Sequence, residues 1–213
     1  MKHCMITILI AMLFCTAAFA EEYPTVMFGS YEQDGDPENG KEPIEWLIVD
    51  ENEEGSLYIA KDGLENVPYQ NEKEETSWEE SDVRQWLNST FLDTAFTVEE
   101  RERIMLTTNS NEANPDHGTE GGGDTQDYVF LLDVQETSRY FPEAEDRKVS
   151  PTKTVEESGV MLVHDNSLWR LRTPGRTKGH AVVVLTTGEY DYCGLNVSYD
   201  LACIRPAMWV SNH

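Results

Sequence analysis

Basic side chains are scarce in this sequence: Lys and Arg number 16 against 40 Asp and Glu, for a formal net charge of −24. Phosphate backbones are gripped by clustered Lys and Arg, so nucleic acid is excluded as a default partner. Anionic lipid surfaces are disfavoured for the same reason. Cations, basic peptides and neutral glycans remain open, although a charge of this size also serves simply to keep a protein in solution. Long apolar runs are missing after residue 20, so no membrane insertion is expected beyond that point. Cysteine is sparse as well: of four, Cys4 and Cys15 lie in the first 20 residues, leaving Cys193 and Cys203. There is no G-x-S-x-G elbow for a serine hydrolase and no H-E-x-x-H for a zinc site, and His117, His164 and His180 are scattered.

The opening 20 residues have the layout of a secretory signal. Lys2 is followed by an apolar run from Met5 to Phe14 and by Ala18-Phe19-Ala20, a small-x-small cleavage site. The run is shorter than the ~20 residues a spanning helix needs. Phe14 precedes Cys15, where lipoprotein processing wants a small residue. Export to the periplasm or beyond is therefore expected, with residues 1–20 as signal peptide and 21–213 as one domain. In an oxidising compartment Cys193 and Cys203 are expected to form a structural disulfide. Their ten-residue separation gives a stabilisation of about 3 kcal/mol on the chain-entropy model. A redox or metal-binding pair would want C-x-x-C spacing with a nearby His.

Periodicity places strands at both ends and helices between them. Thr25 to Tyr31 reads as a strand, and Ile44 to Val49 alternates with Ile44, Trp46 and Ile48 on one face. Ser56 to Ala60 is its hairpin partner. Ser77 with Glu80 predicts a capped helix starting near Trp78, with Val83, Trp86 and Leu87 on one stripe. Thr97 with Glu100 repeats the signal. Thr108 to Gln126, rich in Asn, Gly and Asp, reads as an extended loop. Asp127 to Leu132 is a strand candidate, and Asp133 with Glu136 caps a helix running to about Phe141. Ser150-Pro151 opens a short helix stopped by Gly159. Leu168 to Leu171, His180 to Leu185 and Cys203 to Val210 complete the strands. This order predicts an α+β fold with the two termini in one sheet.

Residues 169–175 read W-R-L-R-T-P-G and residues 203–209 read C-I-R-P-A-M-W. They resemble the W-W-L-R-S-P-G and G-V-R-P-A-L-W signatures of the bacterial exported family known as domain of unknown function 6273. Phe28-Gly29-Ser30-Tyr31 with Glu45-Trp46-Leu47, Val83 to Asn88 with Phe91-Leu92, and Asp124 to Leu132 are similar to further family blocks, in the family's order. Arg170 stands where the family has its second tryptophan, Thr173 where it has serine, and Cys203 where it has glycine. The resemblance implies a C-type-lectin-like fold, shared with formylglycine-generating enzymes. In it the first and last strands pair in one antiparallel sheet, with short helices and long loops on one side.

Candidate sites follow from these segments. A ligand surface would present the Trp169 indole face and the Arg170 and Arg172 guanidinium forks to a groove, joined by Asn114 and Asp124 from the long loop. For Arg172 and Arg205 the leading reading is structural: arginines in core strands need an ion pair or a carbonyl clamp, with Asp127 as a partner. Trp46 and Trp86 are read as core. No metal site is assigned. Calcium is the one cofactor considered, at Asp34, Asp36, Glu38 and Glu45, which partly mimic an EF-hand but carry Asn39 where Gly belongs. No Glu-Pro-Asn or Gln-Pro-Asp sugar loop is present. The function expected is a non-catalytic recognition module for a glycan, a peptide or a cell-envelope protein. The alternative is an exported oxidase resembling formylglycine-generating enzymes.

Overall fold

The computed structural model describes residues 23–72 and 74–213. The expected signal peptide with its cleavage site, and Cys4 and Cys15, lie outside the described residues. In chain order come β1 (Thr25–Tyr31), β2 (Glu42–Glu51), β3 (Gly55–Ala60), α1 (Asp82–Trp86), α2 (Leu92–Ala95), α3 (Val98–Arg101), β4 (Thr107–Asn109), β5 (Thr125–Asp127), α4 (Val134–Tyr140) and α5 (Lys153–Glu157). The last third adds β6 (Leu162–Val163), β7 (Asn166–Ser167), β8 (Trp169–Pro174), β9 (His180–Val184), β10 (Tyr190–Asn196) and β11 (Ala207–Ser211). The result is a strand-rich α+β fold with short helices.

Four strands form an antiparallel sheet in the order β1-β2-β3-β11, and three form a second in the order β10-β9-β8. The terminal strands thus share one sheet. They do not pair with each other: β1 and β11 hold opposite edges, and β11 pairs with β3 in the register Trp209 to Leu57. That corrects the direct pairing implied by the lectin-like resemblance. The two sheets meet through residues 203 and 204, where Cys203 bridges Trp169 in parallel and Ile204 bridges Glu65. A continuous strand from Cys203 to Val210 does not form, because Pro206 has no N–H to donate to a ladder.

Alternation in β2 buries Ile44 and Trp46 completely. A buried aromatic removes about 150 to 250 Å² from water, worth roughly 4 to 6 kcal/mol before conformational entropy is counted. The Trp46 indole N–H is satisfied by the Phe28 carbonyl at 2.7 Å. Beyond Ile48 the pairing with β3 shifts register, and such a bulge re-aims the residues that follow it, here Val49 and Asp50.

The helix expected near Trp78 starts four residues later. Trp78 is drawn inward, its indole N–H bonding Asp127 at 3.1 Å, and Ser81 becomes the N-cap by accepting the Arg84 N–H. The chain continues through a π turn at Leu87–Phe91 into α2. Both other capping boxes form, Thr97 with Glu100 on α3 and Asp133 with Glu136 on α4. The segment 127–132 makes no long ladder. Its backbone is taken up instead by Asn88, which bonds the N–H groups of Tyr128 and Val129 and the Val129 carbonyl, by Ala207, and by Arg172. Helix α5 starts two residues later than the Ser150-Pro151 signal, with Thr152 at the N-cap position but no side-chain capping bond, and is followed by Gly159 at φ 96°.

Candidate functional site

Strand β8 is covered on both faces. Trp169, Arg170 and Leu171 are fully buried and Arg172 is 2% exposed. The groove expected to display Trp169, Arg170 and Arg172 is therefore corrected to a core position, because segments distant in sequence, around 110, 131–136, 147 and 196–199, pack on the faces of the strand. Trp169 bonds the Arg147 carbonyl at 2.8 Å. Arg172 reaches the carbonyls of Leu131 and Ser110, Asp133 at 3.0 Å, and Glu136. Asp127 is not its partner. Arg170 meets the carbonyls of Asn196 at 3.0 Å and Tyr199 at 2.5 Å, and burial lowers its pKa to about 10. Arg205, also lowered to about 10 by burial, bonds the Ala60 carbonyl at 2.7 Å. Its guanidinium lies 5.0 Å from the Phe141 ring centre and 5.1 Å from that of Trp169.

Asp127 is wholly buried and gathers donors from three elements. Trp78 Nε1, Arg84 Nε at 2.5 Å, Asn109 Nδ2 at 2.9 Å and Thr125 Oγ1 at 2.8 Å all bond its carboxylate. This hub closes the β4–β5 neck from which the loop 110–124 emerges. Asn114, buried, pins that loop: its Nδ2 donates to the carbonyls of Pro174 and Tyr192, and its Oδ1 accepts from Asp116 N and His117 N. Asp124 is exposed on the loop's return. Trp86 is half-buried against Phe91.

The expected disulfide does not form: Cys193 is free and exposed, Cys203 free and buried. Cys203 lies beside β8, whereas Cys193 is on β10 with β9 intervening. Three strand spacings of about 4.8 Å put them roughly 14 Å apart, beyond the ~7 Å limit for Cα atoms of a bridge. Burial pushes the Cys203 thiol up to about 12.

The EF-hand-like set is likewise not assembled. Asp34 and Asp36 accept backbone N–H groups of their own turn, and Glu45 pairs with Lys61 at 2.7 Å. A different trio, Glu32, Asp34 and Glu42, brings carboxylate oxygens within 4.8 Å of one another. The Asn39 amide and the Asp36 N–H hold Asp34 below the usual carboxylate range.

A concavity of about 470 Å³ opens between the start of β1, the end of β2 and the end of α4. Tyr23, Pro24, Val49, Asp50, Arg139, Tyr140 and Pro142 line it. The bulge in β2 delivers Asp50, whose Oδ2 accepts from Arg139 Nη2 at 3.1 Å and from the Tyr140 hydroxyl at 3.1 Å. Tyr23 donates its hydroxyl to the Tyr140 carbonyl. Burial, reinforced by the Asp50 charge, raises the Tyr140 phenol, so it remains a donor. Arg147 holds the turn beneath by bonding the carbonyls of Phe141 and Pro142. None of these lining residues was singled out by sequence reasoning. The one available signal was Asp50, an acid directly after the apolar strand Ile44–Val49.

The family described as Domain of unknown function (DUF6273) matches residues 45–212. No curated protein and no solved structure matches the chain.

Proposed function

The chain belongs to the family described as domain of unknown function (DUF6273), and from that premise we propose that it is an exported, non-catalytic recognition module binding a glycan in the Tyr23–Asp50–Tyr140 cleft. One observation carries this reading: two donors, Arg139 and Tyr140, converge on a single carboxylate at the wall of an open cavity of about 470 Å³. That volume falls within the roughly 300 to 1,000 Å³ of small-ligand sites, where a few fixed polar groups orient a ligand among aromatic and apolar walls. Tyrosine rings offer faces for the C–H side of a sugar, while the Asp50 and Arg139 groups suit its hydroxyls.

A glycosidase would need a second carboxylate roughly 5 to 9.5 Å away, and Asp50 is the sole acid among the described lining residues. The oxidase alternative needs two cysteines within reach of each other, and the burial of Cys203 away from Cys193 weighs against it. The lectin-like architecture belongs to the same proposal, supported by terminal strands in one sheet and by the long loop. A glycan, more than a peptide or an envelope protein, fits a cleft this small.

The test is titration calorimetry of the protein without its leader against neutral oligosaccharides and cell-wall fragments, with calcium or with chelator. We expect saturable binding to at least one glycan class and at least a tenfold loss in Asp50→Ala. A blank screen, or a variant that binds as well as the parent, would overturn it. A calcium requirement that survives Asp50→Ala would move the site to Glu32, Asp34 and Glu42.

A further inference from the structure

His117 and Cys193 lie 76 residues apart in sequence and meet at the surface, with Sγ 3.6 Å from Nε2. Both are fixed through their backbones. On the imidazole side, Asn114 bonds the His117 N–H and also the Tyr192 carbonyl, fastening the loop to the residue next to the thiol. On the thiol side, the register of β10 shifts between Asp191 and Leu195, and Gly194 takes φ 75°, a conformation that favours glycine. Asp191 Oδ1 secures the turn by accepting from Cys193 N at 3.0 Å and Gly194 N at 3.3 Å.

This wiring limits the chemistry. The N–H groups that could stabilise an acyl oxyanion already donate to Asp191, so acyl transfer lacks its donors. Among the described residues His117 and Cys193 belong to no trio able to hold a metal ion. Cys203 is buried and three strand spacings away, so it cannot resolve an oxidised Cys193 internally. What remains is an accessible thiol beside a base, the arrangement that activates sulfur for exchange.

We propose that Cys193 and His117 form a thiol-exchange site that takes up small cationic or zwitterionic aliphatic thiols from their disulfides. The Cys193 sulfur attacks one sulfur of R–S–S–R, forming Cys193–S–S–R as the original bond breaks. The proton passes from Sγ to His117 Nε2 and then to the departing sulfur, which leaves as RSH. The incoming disulfide is the oxidant: one of its sulfurs is reduced while Cys193 is oxidised. Charge sets the preference. Asp191 holds the turn beneath the thiol and Asp116 lies near Tyr192. Arg176 bonds the Cys193 carbonyl through its backbone N–H, but its guanidinium is placed on His180.

The experiment follows adduct formation by intact-protein mass spectrometry, with cystamine and with glutathione disulfide, between pH 5.5 and 8.5. We expect one adduct, on Cys193, absent in Cys193→Ser. Cystamine should react at least tenfold faster than the anionic glutathione disulfide at low salt, with the gap narrowing at high salt. His117→Asn should slow the reaction at least tenfold near pH 7 and remove the imidazole step from the pH profile, with an unchanged thermal midpoint. Equal rates and profiles for parent and His117→Asn would overturn the proposal, as would an adduct on Cys203, a preference for the anionic disulfide, or a disulfide-linked dimer as main product.

Discussion

Asp127 and Asp50 each accept bonds from an arginine and an aromatic residue, yet they occupy opposite circumstances. Asp127 is wholly buried and bonded by Trp78, Arg84, Asn109 and Thr125. Asp50 is partly exposed, held by Arg139 and Tyr140 at the rim of an open cleft. The same chemical kit therefore makes a keystone in one place and, in the function proposed above, a receptor in the other, with access to water as the difference between them. A carboxylate whose acceptor sites are filled from inside has nothing left for a ligand. One that shares its bonds with solvent-facing donors can exchange them for a ligand's hydroxyls.

Removing the keystone gives the largest expected effect. Asp127→Ala breaks a buried pair and strands the donors of Trp78 and Asn109, and should cost about 3 to 5 kcal/mol in urea unfolding. Arg84→Met leaves Asp127 with three neutral donors. Because Arg84 is partly exposed, 23% at its side chain, the loss should be smaller, about 1 to 3 kcal/mol.

Glu100 sits between the two extremes. Burial acts against its charge, but the N–H groups of Thr97 and Gly29 outweigh that and hold its pKa below the ordinary 4.5. A depressed acid contributes stability that is present above its unfolded pKa and lost as pH falls through the folded one. The acid-induced drop in thermal midpoint should thus shrink in Glu100→Gln between about pH 5 and 3, whereas a parallel drop in both proteins would remove Glu100 from the account.

Asp50→Ala should be the mildest for stability, within about 1 kcal/mol, while weakening the proposed glycan binding at least tenfold. A loss as large as that of Asp127→Ala would erase the distinction between keystone and receptor.

Local signals in the sequence were readable where nothing distant competed with them. Thr97 with Glu100 and Asp133 with Glu136 cap helices because each box is completed within four residues. Ser77 with Glu80 carries the same letters and fails, since Trp78 is pulled toward Asp127, 49 residues away. The W-R-L-R segment allowed either a groove or a core strand, and nothing local could reveal that the 196–199 turn and residues 110 and 131–136 enclose its arginines. The cysteine spacing counts residues, whereas a disulfide needs neighbouring strands. The cleft was invisible for a related reason: Tyr23, Asp50 and Tyr140 come from three distant segments, and a bulge, which has no motif of its own, brings Asp50 to them.

The stacking of Arg205 between Phe141 and Trp169 has an optical corollary. Phe141 directly follows Tyr140 in the chain, so a ligand that turned the end of α4 would move the Phe141 ring against the Arg205–Trp169 pair. Indole emission responds to nearby fields, so Trp169 fluorescence offers a label-free test of whether the proposed cleft is occupied.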